Sequence, residues 1–215
     1  HSVCQESHCP NMSKCWGNGT VAFLIMGEIC TRNCHFCNVK TGRPCGLDEG
    51  EPKKVAETAE DMGLDYVVLS SVDRDDLDDK GASHFAECIR ELKKRGIRTE
   101  VLIPDYGREE LKIVIDAGPV VISHHIETVE RLSSLRDRRA GYNKSLETLG
   151  LIKELSQDIY SKSSLMLGFG EKEEEVERAM EDLRKRDVDM LTMGQYLQPS
   201  KDKAEIKRYV TPRSE

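Results

Sequence analysis

The chain of 215 residues is long enough for one domain with a substantial hydrophobic core, and it does not require two. Hydrophobic residues make up 38% and charged residues 33%, and the net charge of −7 excludes the basic surface expected of a nucleic-acid-binding protein. No run of about 18 apolar residues predicts a membrane span, and no signal or transit peptide is visible. We therefore expect neither a nucleic-acid nor a membrane partner.

Residues 1–20 form the first predicted unit, a cysteine-rich arm with no hydrophobic period. Its cysteines Cys4, Cys9 and Cys15, called the arm triplet below, stand at Cys-x4-Cys-x5-Cys spacing. The proline and glycines of the arm are expected to break any regular element. Such an arm is ordered only when something holds it, and metal–thiolate bonds would do so.

Residues 21–198 form the second predicted unit, in which strand and helix patterns alternate. Apolar runs predict six strands, at 21–26, 66–72, 98–103, 120–126, 163–167 and 190–197. Amphipathic segments predict five helices, at 52–62, 82–95, 109–117, 144–155 and 173–186. This alternation indicates an α/β fold with a parallel sheet covered by helices, as an open doubly wound sheet or an incomplete (β/α) barrel. The absence of Gly-x-Gly-x-x-Gly after the first strand argues against a dinucleotide-binding sheet.

The loop after the first strand carries Cys30, Cys34 and Cys37, called the loop triplet below, at Cys-x3-Cys-x2-Cys spacing. Three thiolates on so short a loop can surround one cubic iron–sulfur cluster and leave its fourth iron open. A cluster used only for electron transfer normally has four protein ligands. The spacing therefore predicts that something else binds the open iron.

The eight cysteines of the chain allow two other interpretations. A disulfide-stapled extracellular module would use them in pairs, whereas six of them stand in two triplets. A zinc-stabilised binding module would need a fourth ligand for each triplet, for which His8 and His35 are available. Cys45 and Cys88 have no partners at ligand spacing, and Cys88 occupies an apolar position of a predicted helix.

Unusual polar residues follow the carboxyl ends of all six predicted strands. They lie in the stretches 30–37, 70–76, 104–105, 124–128, 168–171 and 194–199. In a (β/α) barrel the reactive face is formed by these strand ends. The sequence therefore predicts one functional rim.

The loop triplet, with Phe36 before its last cysteine, resembles the signature of the radical S-adenosylmethionine (SAM) superfamily. The arm triplet narrows the resemblance to the lipoyl synthase family. This resemblance extends over about residues 1 to 212 of the chain. Other matching stretches are Thr41-Gly-Arg-Pro, Ser71-Val-Asp-Arg-Asp-Asp-Leu77, Val101-Leu-Ile-Pro-Asp105, Gly168-Phe-Gly-Glu171 and Gly194-Gln-Tyr-Leu-Gln-Pro199.

The resemblance implies a partial (β/α)6 barrel of the TIM type and a radical sulfurtransferase. The loop triplet would hold a 4Fe–4S cluster whose open iron binds SAM, and the arm triplet a second 4Fe–4S cluster that donates sulfur. Two sulfur atoms would be inserted at carbons six and eight of a protein-bound octanoyl-lysine by means of 5′-deoxyadenosyl radicals. Because a cofactor carries this step, we assign no general acid or base. The alternative within the class is another two-cluster radical SAM enzyme.

The resemblance also implies partners and a location. The substrate would be an octanoylated lipoyl-carrier domain, of a 2-oxoacid dehydrogenase E2 or a glycine cleavage H protein. Further partners would be an electron donor such as ferredoxin or flavodoxin and an iron–sulfur carrier for cluster repair. The protein would be a monomer, located in the cytoplasm or, in a eukaryote, in the mitochondrial matrix. Residues 199–215 form a C-terminal extension without the family's Arg-Ser-Ser-Tyr motif, whose serine completes the auxiliary cluster. We therefore expect a truncated chain.

Three of the contacts to SAM that the resemblance implies concern its adenosyl half. Phe36 would lie near the adenine, Leu197 on the sixth strand would pack against it, and Glu127 would hold a ribose hydroxyl. A purely structural role is the alternative for Glu127. His124 and His125 are expected to be packed or hydrogen-bonded rather than to bind metal.

The other implied contacts concern the methionine half of SAM. Ser71 and Asp73 would bind its amino group, and Arg136 its carboxylate, since a guanidinium matches carboxylate geometry. The alternatives are a surface salt-bridge cluster at residues 73–76 and a surface position for Arg136.

Overall fold

The structure, a computed structural model, describes residue 2, residues 12–17 and residues 19–211, with only the backbone of Met12, Cys15 and Trp16. Cys4 and Cys9 of the arm triplet lie outside the described residues. The arm was expected to lack regular structure, and this is wrong for part of it, because Met12–Gly17 form a short helix, α1.

The described residues contain eight strands and six α-helices. The strands are β1 Val21–Ile25, β2 Ile29–Cys30, β3 Lys40–Thr41, β4 Tyr66–Ser71, β5 Arg98–Leu102, β6 Val121–Ser123, β7 Tyr160–Leu167 and β8 Met190–Gln195. After α1 come α2 Glu51–Asp61, α3 Ala82–Lys94, α4 Arg108–Ala117, α5 Tyr142–Leu155 and α6 Glu173–Arg184, with a 3-10 helix at Glu130–Leu135. No helix among these residues is long and apolar enough to cross a membrane.

Six strands form one parallel sheet in the order β1-β4-β5-β6-β7-β8. Each strand lies beside the next one along the chain, so every crossover advances in the same direction. A doubly wound sheet would reverse its strand order, whereas a barrel does not. β1 and β8 do not pair with each other in the described residues, so the prediction of a partial six-stranded α/β barrel is confirmed.

The core lies between the sheet and its helices. On α3, Phe85, Ile89 and Leu92 recur at helical spacing and are buried, as an amphipathic helix requires. They belong to the same core as Leu69 of β4. Cys88 is fully buried on α3, in agreement with its predicted core position.

Five of the six predicted strands end earlier in the structure, three of them by a single residue and two by more. β6 ends at Ser123 instead of residue 126, and Glu127 then makes a single bridge to Leu165 from a left-handed backbone conformation with φ of 65°. β8 ends at Gln195, so Leu197 lies beyond the strand on which it was predicted. The pair β2 and β3 has only two residues in each strand, too few for a periodic pattern to reveal.

Leu69→Ala should destabilise the fold by about 2–5 kcal/mol, because it leaves a cavity in the centre of the sheet. Met62→Ala, at an exposed position, is the control and should change the free energy of unfolding by less than about 0.5 kcal/mol. Urea unfolding of both variants measures the difference. Equal effects would contradict the assignment of the core.

Candidate active site

The loop triplet lies on a loop that is closed at its base by the parallel pair of β2 and β3. Directly after β1, Met26 and Gly27 adopt left-handed conformations, with φ of 67° and 92°, and turn the chain into this loop. Inside the loop, the Cys37 amide donates to the Cys34 carbonyl at 3.2 Å. The loop thus has a defined backbone, fixed at both ends.

Backbone amides from three parts of the chain donate to the sulfurs. Cys30 Sγ accepts from the amides of Arg32 at 3.4 Å and Asp73 at 3.3 Å, and Cys34 Sγ from the amide of Asp137 at 3.3 Å. Burial, however, raises the pKa of Cys30 to about 11 and that of Cys34 to about 12. The hydrogen bonds from the amides stabilise the thiolate form, whereas burial disfavours a thiolate that has no bound cation. This environment suits thiolates that are neutralised by a bound cation.

The charges of the three cysteines act on one another. Burial raises the pKa of Cys37, and the charge of Cys37 adds to the effect of burial on the pKa of Cys30 and of Cys34. No three Cys, His, Asp or Glu side chains in the described part of the chain form a site for one metal ion. A cubic cluster binds each thiolate at a different iron, so it does not require the three sulfurs to meet at one ion.

A cavity of about 280 Å³ opens in front of the loop triplet, between the loop and the carboxyl ends of the strands. Five of the six predicted cofactor contacts line it together with the three cysteines; they are Phe36, Ser71, Asp73, Glu127 and Arg136. Leu197 does not line it and is 46% exposed. The structure therefore brings together all of the predicted contacts except Leu197.

Arg32, which is 5% exposed, joins the cysteine loop to two strand ends. Its Nη2 lies 2.8 Å from Asp75 Oδ1, its Nε 3.4 Å from Asp73 Oδ1, and its Nη1 contacts Asp105 Oδ2. Burial acts to raise the pKa of Asp105, but His124 and the charge of Arg32 hold it well below its usual range. The ionised carboxylates and Arg32 thus stabilise each other in a buried position.

Two carboxylate oxygens of this group are available to a positively charged ligand. Asp73 Oδ2 lies 3.8 Å from Cys30 Sγ, and burial raises the pKa of Asp73 although Arg32 acts against it. Asp105 Oδ1 is buried and has no hydrogen-bond partner among the described residues; His124 Nε2 is 3.4 Å and Arg136 Nη2 is 3.9 Å away. A buried acceptor without a donor is costly and is expected to find one in the bound state.

Arg136 is buried, so the alternative of a surface position is wrong. Its Nη1 donates to Ser145 Oγ at 2.7 Å and lies 3.4 Å from the Gly141 carbonyl. Ser145 also bonds His124 Nε2 at 2.8 Å, and His124 Nδ1 lies 3.0 Å from the Ile103 carbonyl. His124 is therefore hydrogen-bonded, as predicted, and the remaining donors of Arg136 are left for an anionic ligand at the cavity.

Glu127 lines the cavity and has a left-handed backbone conformation, which is uncommon for a residue other than glycine. Its Oε1 lies 3.5 Å from His125 Nδ1. Burial acts to raise the pKa of Glu127, but His125 and nearby charges lower it overall. An ionised carboxylate held in a strained conformation at a cavity is typical of a functional residue.

The sequence analysis assigned no role to Arg32 or Asp105. The only available signals were a basic residue inside the cysteine motif and a carboxylate directly after a predicted strand. The stretch 73–76 is only partly a surface cluster, because Arg74 is buried, pairs with Asp76 at 2.8 Å and donates to the Cys45 carbonyl at 3.0 Å.

Comparison with known proteins identifies the class. The sequence profile described as the Radical SAM superfamily matches residues 24–183. The fold is similar to that of Streptococcus suis SuiB, solved bound to S-adenosylmethionine, with a TM-score of 0.69 at 9% identity over 93% of this chain and 47% of that chain. Together, the fold and the loop triplet define a radical SAM enzyme.

The particular family follows from two curated relatives named lipoyl synthase. One from Halobacterium salinarum is 53% identical over 99% of this chain and 71% of its own length. One from Caldanaerobacter subterraneus subsp. tengcongensis is 53% identical over 99% of this chain and 76% of its own length. The chain belongs to the lipoyl synthase family, and its cofactors are a 4Fe–4S cluster and SAM.

The residues at the cavity fit both cofactors. The buried sulfurs of the loop triplet need cationic partners, which iron provides. Asp105 Oδ1 lacks a donor, which the SAM ammonium group would supply, and Arg136 offers donors to a carboxylate.

Arg32→Met should destabilise the protein by about 3–5 kcal/mol, because it removes the buried guanidinium that pairs with the buried carboxylate of Asp105 and with the partly buried Asp73 and Asp75. Arg108→Met is the matched control, since it breaks an exposed ion pair with Glu154 worth about 0–1 kcal/mol. Urea unfolding of metal-free protein measures both. A loss at Arg32 no larger than at Arg108 would show that the buried ion pairs are not stabilising.

The cost of Arg32→Met should also depend on pH. The pKa values of Asp75 and Asp105 in the folded state lie below the unfolded value of about 3.9. The stabilisation by Arg32 is therefore complete above that pH and is lost as the pH falls through the folded values. The difference in unfolding free energy between wild type and Arg32→Met should shrink as the pH falls below about 4. A constant difference would contradict the proposed charge state.

Proposed function

We propose that this chain inserts two sulfur atoms into an octanoyl group, at carbons six and eight, while the group is linked to a lysine of a lipoyl-carrier domain. Membership of the lipoyl synthase family supports the reaction class. The main structural support for the proposal is one cavity, which is lined by the loop triplet, paired carboxylates and a buried arginine.

In this proposal Cys30, Cys34 and Cys37 hold the 4Fe–4S cluster and leave one iron open to the cavity. The reduced cluster would supply the electron for cleavage of SAM to methionine and a 5′-deoxyadenosyl radical, which is the chemistry that removal of hydrogen from the octanoyl chain requires. The amides that donate to Cys30 and Cys34 stabilise the thiolates. Arg32 keeps the loop against the strand ends.

The cavity residues bind and orient SAM. Asp73, Ser71 and the free oxygen of Asp105 are proposed to accept from its ammonium group. Arg136 donates to its carboxylate. These contacts would hold the ammonium and carboxylate ends of SAM and would so fix the orientation of its sulfonium next to the loop triplet.

The adenosyl half lies on the other side of the cavity. Glu127 accepts from a ribose hydroxyl, and Phe36 packs near the adenine. The tertiary structure does not favour the contact predicted for Leu197, which is exposed beyond β8. The apolar walls, including Leu24 and Val39, exclude water from the radical.

The arm triplet is proposed to hold a second 4Fe–4S cluster, which donates the sulfur atoms. Cys15 lies on α1, and its two partners precede it in the arm. We further propose ferredoxin or flavodoxin as electron donor, an iron–sulfur carrier for repair of the second cluster, and a cytoplasmic or mitochondrial-matrix location.

The proposal is tested by anaerobic reconstitution followed by assays for 5′-deoxyadenosine and for lipoyl product on an octanoylated carrier peptide. Cys34→Ala should abolish both, because the loop triplet loses a ligand. Cys9→Ala should retain 5′-deoxyadenosine formation and lose the lipoyl product. Cys45→Ala, which removes an exposed cysteine, is the control and should leave both unchanged.

Iron content gives a second measure. Two clusters correspond to about eight irons per chain, four in each. One or two zinc ions per chain, with no 5′-deoxyadenosine formed in the presence of reductant, would show that the triplets are structural zinc sites. Formation of 5′-deoxyadenosine without lipoyl product in the wild type would show that the enzyme acts on another substrate.

A further inference from the structure

Tyr196 directly follows β8 and has a hydroxyl group that the fold leaves unsatisfied. The residue is 3% exposed, and its hydroxyl oxygen is buried without a hydrogen-bond partner among the described residues. Burial of a hydroxyl without a partner is unfavourable, so a native protein rarely keeps one without a reason. The hydroxyl therefore indicates an acceptor that is present only when the protein is loaded with its cofactors.

The ring of Tyr196 is fixed in place by aromatic packing. Its centroid lies 4.3 Å from that of Phe169, and Phe169 lies 6.2 Å from Phe36, the residue before Cys37. The Tyr196 amide donates to the Leu167 carbonyl at 2.8 Å. Backbone and ring are both held, so the hydroxyl cannot easily turn towards another acceptor.

The segment 196–204, called the strap below, runs from β8 back to the cysteine loop. The Ala204 amide donates to the His35 carbonyl at 2.8 Å, and Ser200 Oγ lies 3.5 Å from Asn38 Oδ1. These contacts are on both sides of Cys37 in the sequence. Burial raises the pKa of Tyr196, and the charge of Cys37 raises it further, in agreement with a position near that sulfur.

We propose that the Tyr196 hydroxyl donates a hydrogen bond to the iron–sulfur cluster of the loop triplet on its Cys37 side, and that it thereby raises the reduction potential of that cluster. The inference rests on the proposed ligation of the cluster by Cys30, Cys34 and Cys37. Hydrogen bonds to cluster sulfurs are one of the means by which proteins set such potentials. The reduced cluster carries more negative charge, so a donor stabilises it more than the oxidised form.

Tyr196 would act on the cluster and not on SAM. The cavity proposed for SAM is lined by Phe36 and the cysteines, whereas Tyr196 is not among its lining residues. Tyr196 is therefore proposed to adjust the ease with which an electron enters the cluster. The strap gives this role a physical basis, because it fixes the end of β8 to the loop that carries the cluster.

The test compares Tyr196→Phe with Tyr209→Phe, which removes a hydroxyl at a position that is 71% exposed. Reconstituted protein is titrated with reductant and followed by electron paramagnetic resonance, and the loop cluster is recognised by the change of its signal on addition of SAM. Tyr196→Phe should lower the equilibrium constant for one-electron reduction about tenfold, which is about 59 mV, and Tyr209→Phe should not change it. An unchanged potential in Tyr196→Phe at equal iron content would overturn the inference.

The stability of metal-free Tyr196→Phe should change in the opposite direction to the reduction potential of its cluster. Because the hydroxyl has no hydrogen-bond partner among the described residues, Tyr196→Phe should raise the urea midpoint of metal-free protein while it lowers the potential of the loaded protein. A tyrosine with a purely structural hydrogen bond would instead lose stability, and a lowered midpoint would overturn the inference.

A spectroscopic measurement separates the Tyr196 hydroxyl from the amides that donate to Cys30 and Cys34. Electron–nuclear double resonance of the reduced loop cluster should show one slowly exchanging proton coupling in wild type that is missing in Tyr196→Phe. The same exchangeable couplings in both proteins would overturn the inference alone. Absence of any SAM-responsive cluster at the loop triplet would overturn the proposed function together with it.

Discussion

The ion pairs of Arg32 with Asp73, Asp75 and Asp105 hold the site in position. The guanidinium comes from the cysteine loop, and the carboxylates follow two neighbouring strands of the sheet. A buried charge is tolerated only when it is paired and hydrogen-bonded, so the guanidinium of Arg32 depends on these carboxylates for its buried position. Arginine suits the position because its rigid set of donors reaches several carboxylates at once. The loop that carries the cysteines is thereby held against the carboxyl ends of the strands, where the candidate site lies.

The site as a whole is built to receive positive charge. Asp73 Oδ2 lies 3.8 Å from Cys30 Sγ, and burial of Cys30 disfavours its thiolate form when no cation is bound. Asp105 Oδ1 is left without a donor in the described residues. Irons and the ammonium group of SAM would satisfy these groups, so binding of the cofactors completes an electrostatic arrangement that the protein alone leaves incomplete.

Because β1 and β8 do not pair in the described residues, the segment after β8 is the part of the chain that connects this edge of the sheet with the cysteine loop. The strap contacts the cysteine loop, and residues beyond it reach the turn after β7, where the Lys207 amide donates to the Gly168 carbonyl at 2.7 Å. Gly168 has φ of 115°, and a Cβ there would lie 2.9 Å from the Arg208 carbonyl oxygen. Only glycine allows this close approach. The chain after β8 therefore contacts both the cysteine loop and the edge of the sheet, and its contact at the edge of the sheet requires glycine at position 168.

The amino-acid sequence by itself determined the elements and the ligand chemistry, because hydrophobic period, turn residues and cysteine spacing are local properties. The six strands, the five helices between them and the grouping of polar residues at strand ends could be predicted in this way. The partners of Arg32 could not, since the contact with Asp105 spans 73 residues and depends on the register of β4 and β5. The early end of β6, the exposure of Leu197 and the unsatisfied hydroxyl of Tyr196 were likewise decided by the tertiary structure. Burial and hydrogen bonding between distant segments exist only after the barrel has formed.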